Sequence, residues 1–134
     1  MHDRMQAVVD VLWDCFHDQG VSWVGFYVDQ PNEPDDRRLV LGPCRDKPAC
    51  SPIGLHGVCG QALRSRAVRI VRDVNELGGN YIACDPRDRS EIVVPLIDSD
   101  GNCPAVLDVD SWQVGAFDET DAAGLGEVLR AAGL

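Results

Sequence analysis

The run Ala105-Val-Leu-Asp108-Val-Asp110-Ser111 constrains this chain more than any other. Side chains alternate along a strand, so Asp108 and Asp110 share one face and Leu107 and Val109 share the other. The apolar face belongs against a core. Two carboxylates then stand side by side on the opposite face, where they repel and are costly to desolvate. Two arrangements satisfy that pattern. Either the strand lies at a sheet edge with its acids in water, or the acids line a pocket that wants negative charge or a shared proton. Upstream, Ile92-Val-Val-Pro-Leu-Ile97 is a second apolar run, with Glu91 at its mouth and the turn Asp98-Ser-Asp-Gly101 after it. Cys84 opens the stretch in a polar loop, which puts a thiol close in sequence to three carboxyls.

The flanking segments suggest an α+β chain. Met5, Val8, Val9, Leu12, Trp13 and Phe16 recur at helical spacing, and Gly20 follows as a terminator. Val21 to Val28 reads as a strand, with Trp23, Gly25 and Tyr27 on one face and Val24, Phe26 and Val28 on the other. The second face suits a core. The first offers either core aromatics or a recess between two rings. A turn over Gln30 to Asp36 leads to a short strand, Arg38 to Leu41, closed by Gly42-Pro43. From Cys44 to Gly57 the chain carries prolines and glycines without periodicity, so a long loop is expected, with a short strand near Ala49. A short helix over Gly57 to Arg66 would place Cys59 at its start, where the helix dipole lowers a thiol pKa. Val68 to Val71 is a further strand. Asp118 is set to cap a last helix running to about Ala132, with Asp121 as the capping-box acid and Leu125, Val128 and Leu129 as its apolar face. The expected architecture is one domain over residues 1–134: an antiparallel sheet, terminal helices on one face, and a loop-lined pocket on the other.

Bulk properties exclude several roles. The formal net charge is −10, which opposes binding to nucleic acid or to an anionic membrane. Arg64, Arg66, Arg69 and Arg72 are interspersed with apolar residues and read as a solvated face. No apolar run is long enough to span a bilayer, and the first residues have no signal-peptide layout. A cytoplasmic location is expected. The six cysteines are Cys15, Cys44, Cys50, Cys59, Cys84 and Cys103. They contain no Cys-x-x-Cys pair, and His2, His17 and His56 are scattered, which argues against zinc. Gly57-Val-Cys-Gly60 lacks the pattern of a phosphate loop. In a reducing compartment such cysteines are redox or catalytic thiols, or small buried hydrophobes.

Taken together, Ser-Trp23-Val-Gly-Phe-Tyr27, Leu-Val-Leu-Gly-Pro43, Ala-Cys50, Gly-Val-Cys59-Gly, Tyr-Ile-Ala-Cys84-Asp, Ser-Glu91-Ile-Val-Val-Pro-Leu and Leu-Asp108-Val-Asp110-Ser resemble the free methionine-(R)-sulfoxide reductases, enzymes built on a GAF domain. The similarity runs in order from about Val21 to Phe117. The segment from Cys50 to Cys59 is slightly shorter than in the family and carries Pro52, and the N-terminal segment is short as well. The resemblance implies that Cys84 attacks the sulfoxide sulfur, that Cys50 resolves the product as a disulfide, and that Cys59 is a third redox thiol. Glu91, Asp108 and Asp110 would hold the substrate and assist protonation, while Trp23 and Tyr27 enclose its methylthio end. A thioredoxin-like dithiol would reset the enzyme, no metal, flavin or nucleotide would be needed, and a homodimer is left open.

The chemistry of these residue types agrees with that picture. Sulfoxide reduction needs a thiolate at sulfur and an acid for the departing oxygen. Clustered carboxyls raise the pKa of at least one member, and the remaining charge suits the ammonium of a free amino acid. Two other readings compete. A GAF-type sensor would bind a small ligand or report oxidation without turnover, since fold does not dictate function. A purely structural domain would leave the acids beside Cys84 without a role.

Overall fold

The computed structural model describes residues 1–82 and 84–134. Helix α1 (His2–Phe16) leads into strand β1 (Val21–Asp29), which forms an antiparallel hairpin with β2 (Leu39–Arg45). A long loop follows, then helix α2 (Val58–Ser65), the short strand β3 (Arg69–Val71), strand β4 (Ser90–Leu96), strand β5 (Ala105–Ser111) and helix α3 (Glu119–Ala131). The strands form one antiparallel sheet in the order β2-β1-β5-β4-β3. The α+β sheet with terminal helices matches the expectation.

The two faces of β1 separate two cores. Val24 and Phe26 join Leu107, Val109 and Ile92 beneath α1 and α3, where Met5, Val8, Val9, Leu12 and Leu129 are buried. Trp23 and Tyr27 join Val93, Val106 and residues of α2 and the loops on the opposite face. Period-2 alternation is thus realised on β1, and period-3.6 spacing on α1. Phe16 departs from its expected place on the buried stripe and is 43% exposed. The helix tightens into a 3-10 turn over His17–Gln19 just beyond it, and Gly20 ends that turn at φ 108°. At the other terminus, Asp118 accepts from Thr120 and Asp121 amides while Asp121 accepts from the Asp118 amide, which is the expected capping box.

Two local expectations need correction. Strand β2 does not stop at Gly42-Pro43 but continues to Arg45, with Cys44 opposite Gly25. Proline is tolerated there because β2 is an edge strand and Pro43 falls at the irregularity in its pairing with β1, between the partners of Gly25 and Tyr27. Within the following loop the extended pairing lies at Ile53, which bridges Leu39, rather than near Ala49. Arg38 closes the hairpin by donating to both oxygens of Asp29, at 2.7 and 3.1 Å.

Candidate active site

Strand β5 is the central strand, so the edge reading of its acidic face is overturned. Asp108 is 5% exposed and Asp110 9%. The register explains how further groups reach them. Trp23 of β1 and Glu91 of β4 stand on either side of Asp110, and Gly25 and Val93 stand on either side of Asp108. Paired residues of an antiparallel ladder share a face, so one transverse row carries Trp23, Asp110 and Glu91. Gly25 is the close-approach position in the next row. A Cβ there would run into the Trp23 ring and the Cys44 Cβ, so only glycine lets the indole lie across it.

The carboxyls are buried on top of one another. Burial is the main cause that lifts Asp108 and Asp110 well above the ordinary carboxylate range, reinforced at Asp108 by the charges of Asp110 and Glu91 and at Asp110 by those of Glu91 and Asp88. Glu91 is also raised by burial, with hydrogen bonds from the two aspartates opposing the shift. One oxygen of Glu91 and one of Asp108 are buried with no partner that a charged carboxylate could use. Burial and mutual repulsion of this kind favour the protonated form of at least one carboxyl, which can then act as an acid.

Cys59 enters this cluster from α2. Its Sγ and one oxygen each of Glu91 and Asp108 lie within 4.8 Å of one another. Among the described residues this is the group that could hold a metal ion. The thiol pKa is pushed well up, first by burial and then by the charges of Asp108 and Glu91. The expected lowering by the helix start is outweighed, because a dipole end contributes less than burial beside acids.

Cys50 and Cys84 are joined by a disulfide, with Cα atoms 5.7 Å apart, and both residues are exposed. Cys59, Cys44, Cys15 and Cys103 are free. The two aromatics of β1 hold the Cys50 loop in place. Trp23 Nε1 donates to the Lys47 carbonyl at 2.9 Å, and Tyr27 Oη donates to the Cys50 carbonyl at 2.8 Å. Beneath the disulfide is a cavity of about 50 Å³ lined by Trp23, Tyr27, Cys84, Asp108, Asp110 and their neighbours. That space takes little more than a water or two, so this disulfide state is closed to an amino acid. A larger apolar groove of about 360 Å³ lies between α1 and α3, away from this chemistry, and another of about 410 Å³ adjoins the site at Lys47, Arg87 and Trp112.

All the residues singled out from the sequence are thus gathered on one face. Sequence reasoning missed Asp85, Asp88, Lys47, Tyr81 and Trp112. Asp88 is buried, lines the same cavity, and accepts one long bond from Ser22 Oγ at 3.4 Å. Burial, then the charges of Asp85 and Glu91, push its pKa up to about 6. Asp85 accepts from Lys47, Arg87 and Trp112, and the Arg87 pairing chiefly holds it below the usual range. The only available signal was the density of acids after Cys84, and polar loops are rich in acids for many reasons.

Comparison with known proteins places this arrangement. A protein from Saccharomyces cerevisiae called free methionine-R-sulfoxide reductase is 41% identical over 114 residues, which is 83% of this chain. A protein of the same name from Escherichia coli is 40% identical over 111 residues, or 81% of this chain. The chain spans 62% of the length of each of these relatives. The crystal structure of free methionine-R-sulfoxide reductase from Neisseria meningitidis in complex with its substrate superposes with a TM-score of 0.83 at 41% identity, covering 96% of this chain and 72% of that one. The GAF domain model matches residues 1–134. With every residue inside that model, and with an antiparallel five-stranded sheet carrying the site on the face away from its terminal helices, the chain belongs to the GAF domain family.

Proposed function

We propose that this protein reduces free L-methionine-(R)-sulfoxide to methionine with its own thiols. The observation that carries the reading is the Cys50–Cys84 disulfide at the mouth of an acid-lined cavity. In the proposed cycle the Cys84 thiolate attacks the sulfoxide sulfur. The substrate's sulfur–oxygen bond breaks as the oxygen becomes bonded to the Cys84 sulfur, one proton is taken up, and methionine leaves with Cys84 as a sulfenic acid. One of Asp108 and Asp110, whose carboxyls burial pushes well above the ordinary range, supplies the proton. Cys50 then displaces the sulfenic oxygen as water and forms the disulfide. A thioredoxin-like dithiol in a reducing compartment such as the cytoplasm exchanges with that disulfide, leaving two protein thiols and an oxidised reductant. Trp23 and Tyr27 flank the cavity where a methylthio group would lie, and the acids favour a free ammonium that a methionine within a protein lacks. The cycle routes no electron through a metal or an organic cofactor.

The reading is supported over a non-catalytic sensor by the coincidence of two features. The disulfide-bonded Cys50 and Cys84 are exposed, and carboxyls whose pKa burial raises lie beside them. Steady-state assays with a dithiol reductant test it. Free methionine-(R)-sulfoxide should turn over, with little activity on the S epimer or on peptide-bound sulfoxide. Equal rates on free and peptide-bound substrate would remove the case for ammonium recognition.

A further inference from the structure

We propose that Lys47, acting through Asp85, is a positioning residue for the disulfide step: its ion pair closes the Cys50 loop onto the Cys84 loop. The inference rests on the redox cycle proposed above. Lys47 lies three positions before Cys50, and Asp85 directly follows Cys84. Lys47 Nζ stands 2.9 Å from Asp85 Oδ2. Among the described residues, this is the one ion pair between segment 44–57 and segment 81–89.

Each end of the pair is anchored separately. On the Cys50 side, the carbonyls of Lys47 and Cys50 are fixed by Trp23 and Tyr27. On the Cys84 side, Arg87 takes both oxygens of Asp85 at 3.1 Å, and its amide takes Oδ1 at 3.0 Å. Trp112 Nε1 adds a bond at 3.3 Å, and the Arg87 guanidinium sits 4.1 Å over the Trp112 ring. Arg87 therefore satisfies Asp85 from within its own loop. The Lys47 ammonium adds a smaller stabilisation of the Asp85 charge than Arg87 does, and it alone of these donors comes from the Cys50 loop, so that it links the two loops.

That link matters because the loops must part and rejoin once per cycle. The closed cavity of about 50 Å³ does not admit the substrate. After methionine forms, the Cys50 sulfur must reach the Cys84 sulfenic acid. A sulfur–sulfur bond forms, the sulfur–oxygen bond of Cys84 breaks, and the thiol proton leaves with the hydroxyl as water. The ion pair raises the fraction of time the loops spend closed, and so the local concentration of one sulfur at the other. Lys47 is partly exposed, so its pair with Asp85 contributes a modest factor, not a switch.

The test is a single turnover of the fully reduced protein with free methionine-(R)-sulfoxide, followed by timed quenching with a nucleophile that traps sulfenic acid. Wild type, Lys47→Met, Lys47→Arg, Asp85→Asn and the Lys47→Met/Asp85→Asn double variant are compared. In Lys47→Met the methionine burst should persist while the trappable Cys84 sulfenic acid survives about three- to ten-fold longer. Lys47→Arg should behave as wild type, and the double variant should be no slower than Asp85→Asn alone. High ionic strength should slow the disulfide step of wild type towards that of Lys47→Met and leave Lys47→Met unchanged. An unchanged disulfide step in Lys47→Met would overturn the proposal. So would a weakened burst with a normal disulfide step, which would put Lys47 on the substrate instead. Failure of wild type to release methionine would count against the redox cycle itself. Stoichiometric hydrogen peroxide then generates the Cys84 sulfenic acid directly, and the same comparison judges the loop closure.

Discussion

At Asp108 and Asp110 the chain keeps two carboxyls where burial opposes their charge. Burial of this kind costs the fold stability, and in the proposed cycle these carboxyls bind charge and supply the proton. Asp108→Asn and Asp110→Asn should therefore each lose roughly 2–4 kcal/mol of transition-state stabilisation while the fold is unharmed or more stable. Kinetics and denaturant unfolding on the same variants check both halves, and unchanged kcat/KM would return either residue to a bystander. Asp88 gives a separate test with a defined sign. Its folded pKa is about 6, above the ordinary 3.8, so the folded state binds its proton more tightly than the unfolded chain. Its contribution to stability is then present at low pH and is lost as the pH rises from about 4 to about 6. Asp88→Asn should be more stable than wild type at pH 7, by at most about 3 kcal/mol, with the gain fading below pH 4. A variant equally stable or weaker at pH 7 would show that Asp88 is charged and well partnered in the fold.

Among the elements, the strands were legible because alternation separates two faces, and the terminal helices because spacing and caps agree. Trp23 and Tyr27 on one face of β1, against Val24 and Phe26 on the other, is the pattern the fold uses. The position of β5 within the sheet was not legible. Two aspartates on a strand look alike at a solvated edge and in a central pocket, and only pairing with β1 and β4 tells them apart. Nor was the loop chemistry, because the Lys47–Asp85 contact joins residues far apart in sequence with no periodic signal. The pairing of Cys50 with Cys84 was implied by the family resemblance, and no spacing argument could have chosen it from six cysteines. Gly25 links these levels. Gly25→Ala should force the Trp23 ring and Cys44 apart, break the indole bond that holds the Lys47 carbonyl, and cost about 1–3 kcal/mol. Chemical unfolding measures the cost, and a variant as stable as wild type would mean the ring is free to move.

For the whole molecule, the sheet divides labour between its faces. The face under α1 and α3 is an almost wholly aliphatic core, and the other face combines aliphatic residues, some of them from α2, with acids, thiols and aromatics beneath two loops. The two loops meet at the exposed Cys50–Cys84 disulfide over a cavity of about 50 Å³, so the proposed cycle requires them to open for substrate and to present the disulfide to a reductant. The net charge of −10 adds to the acids in setting what can approach. The central claim is that Cys84 takes the oxygen and Cys50 resolves it. Its most direct test is one turnover of the reduced protein with free methionine-(R)-sulfoxide and no added reductant, followed by methionine quantification and peptide mapping of the disulfide. The account predicts methionine in an amount equal to the protein, a dominant Cys50–Cys84 linkage, and no methionine from Cys84→Ser. A full yield from Cys84→Ser, or a dominant Cys59–Cys84 linkage in the native protein, would contradict it.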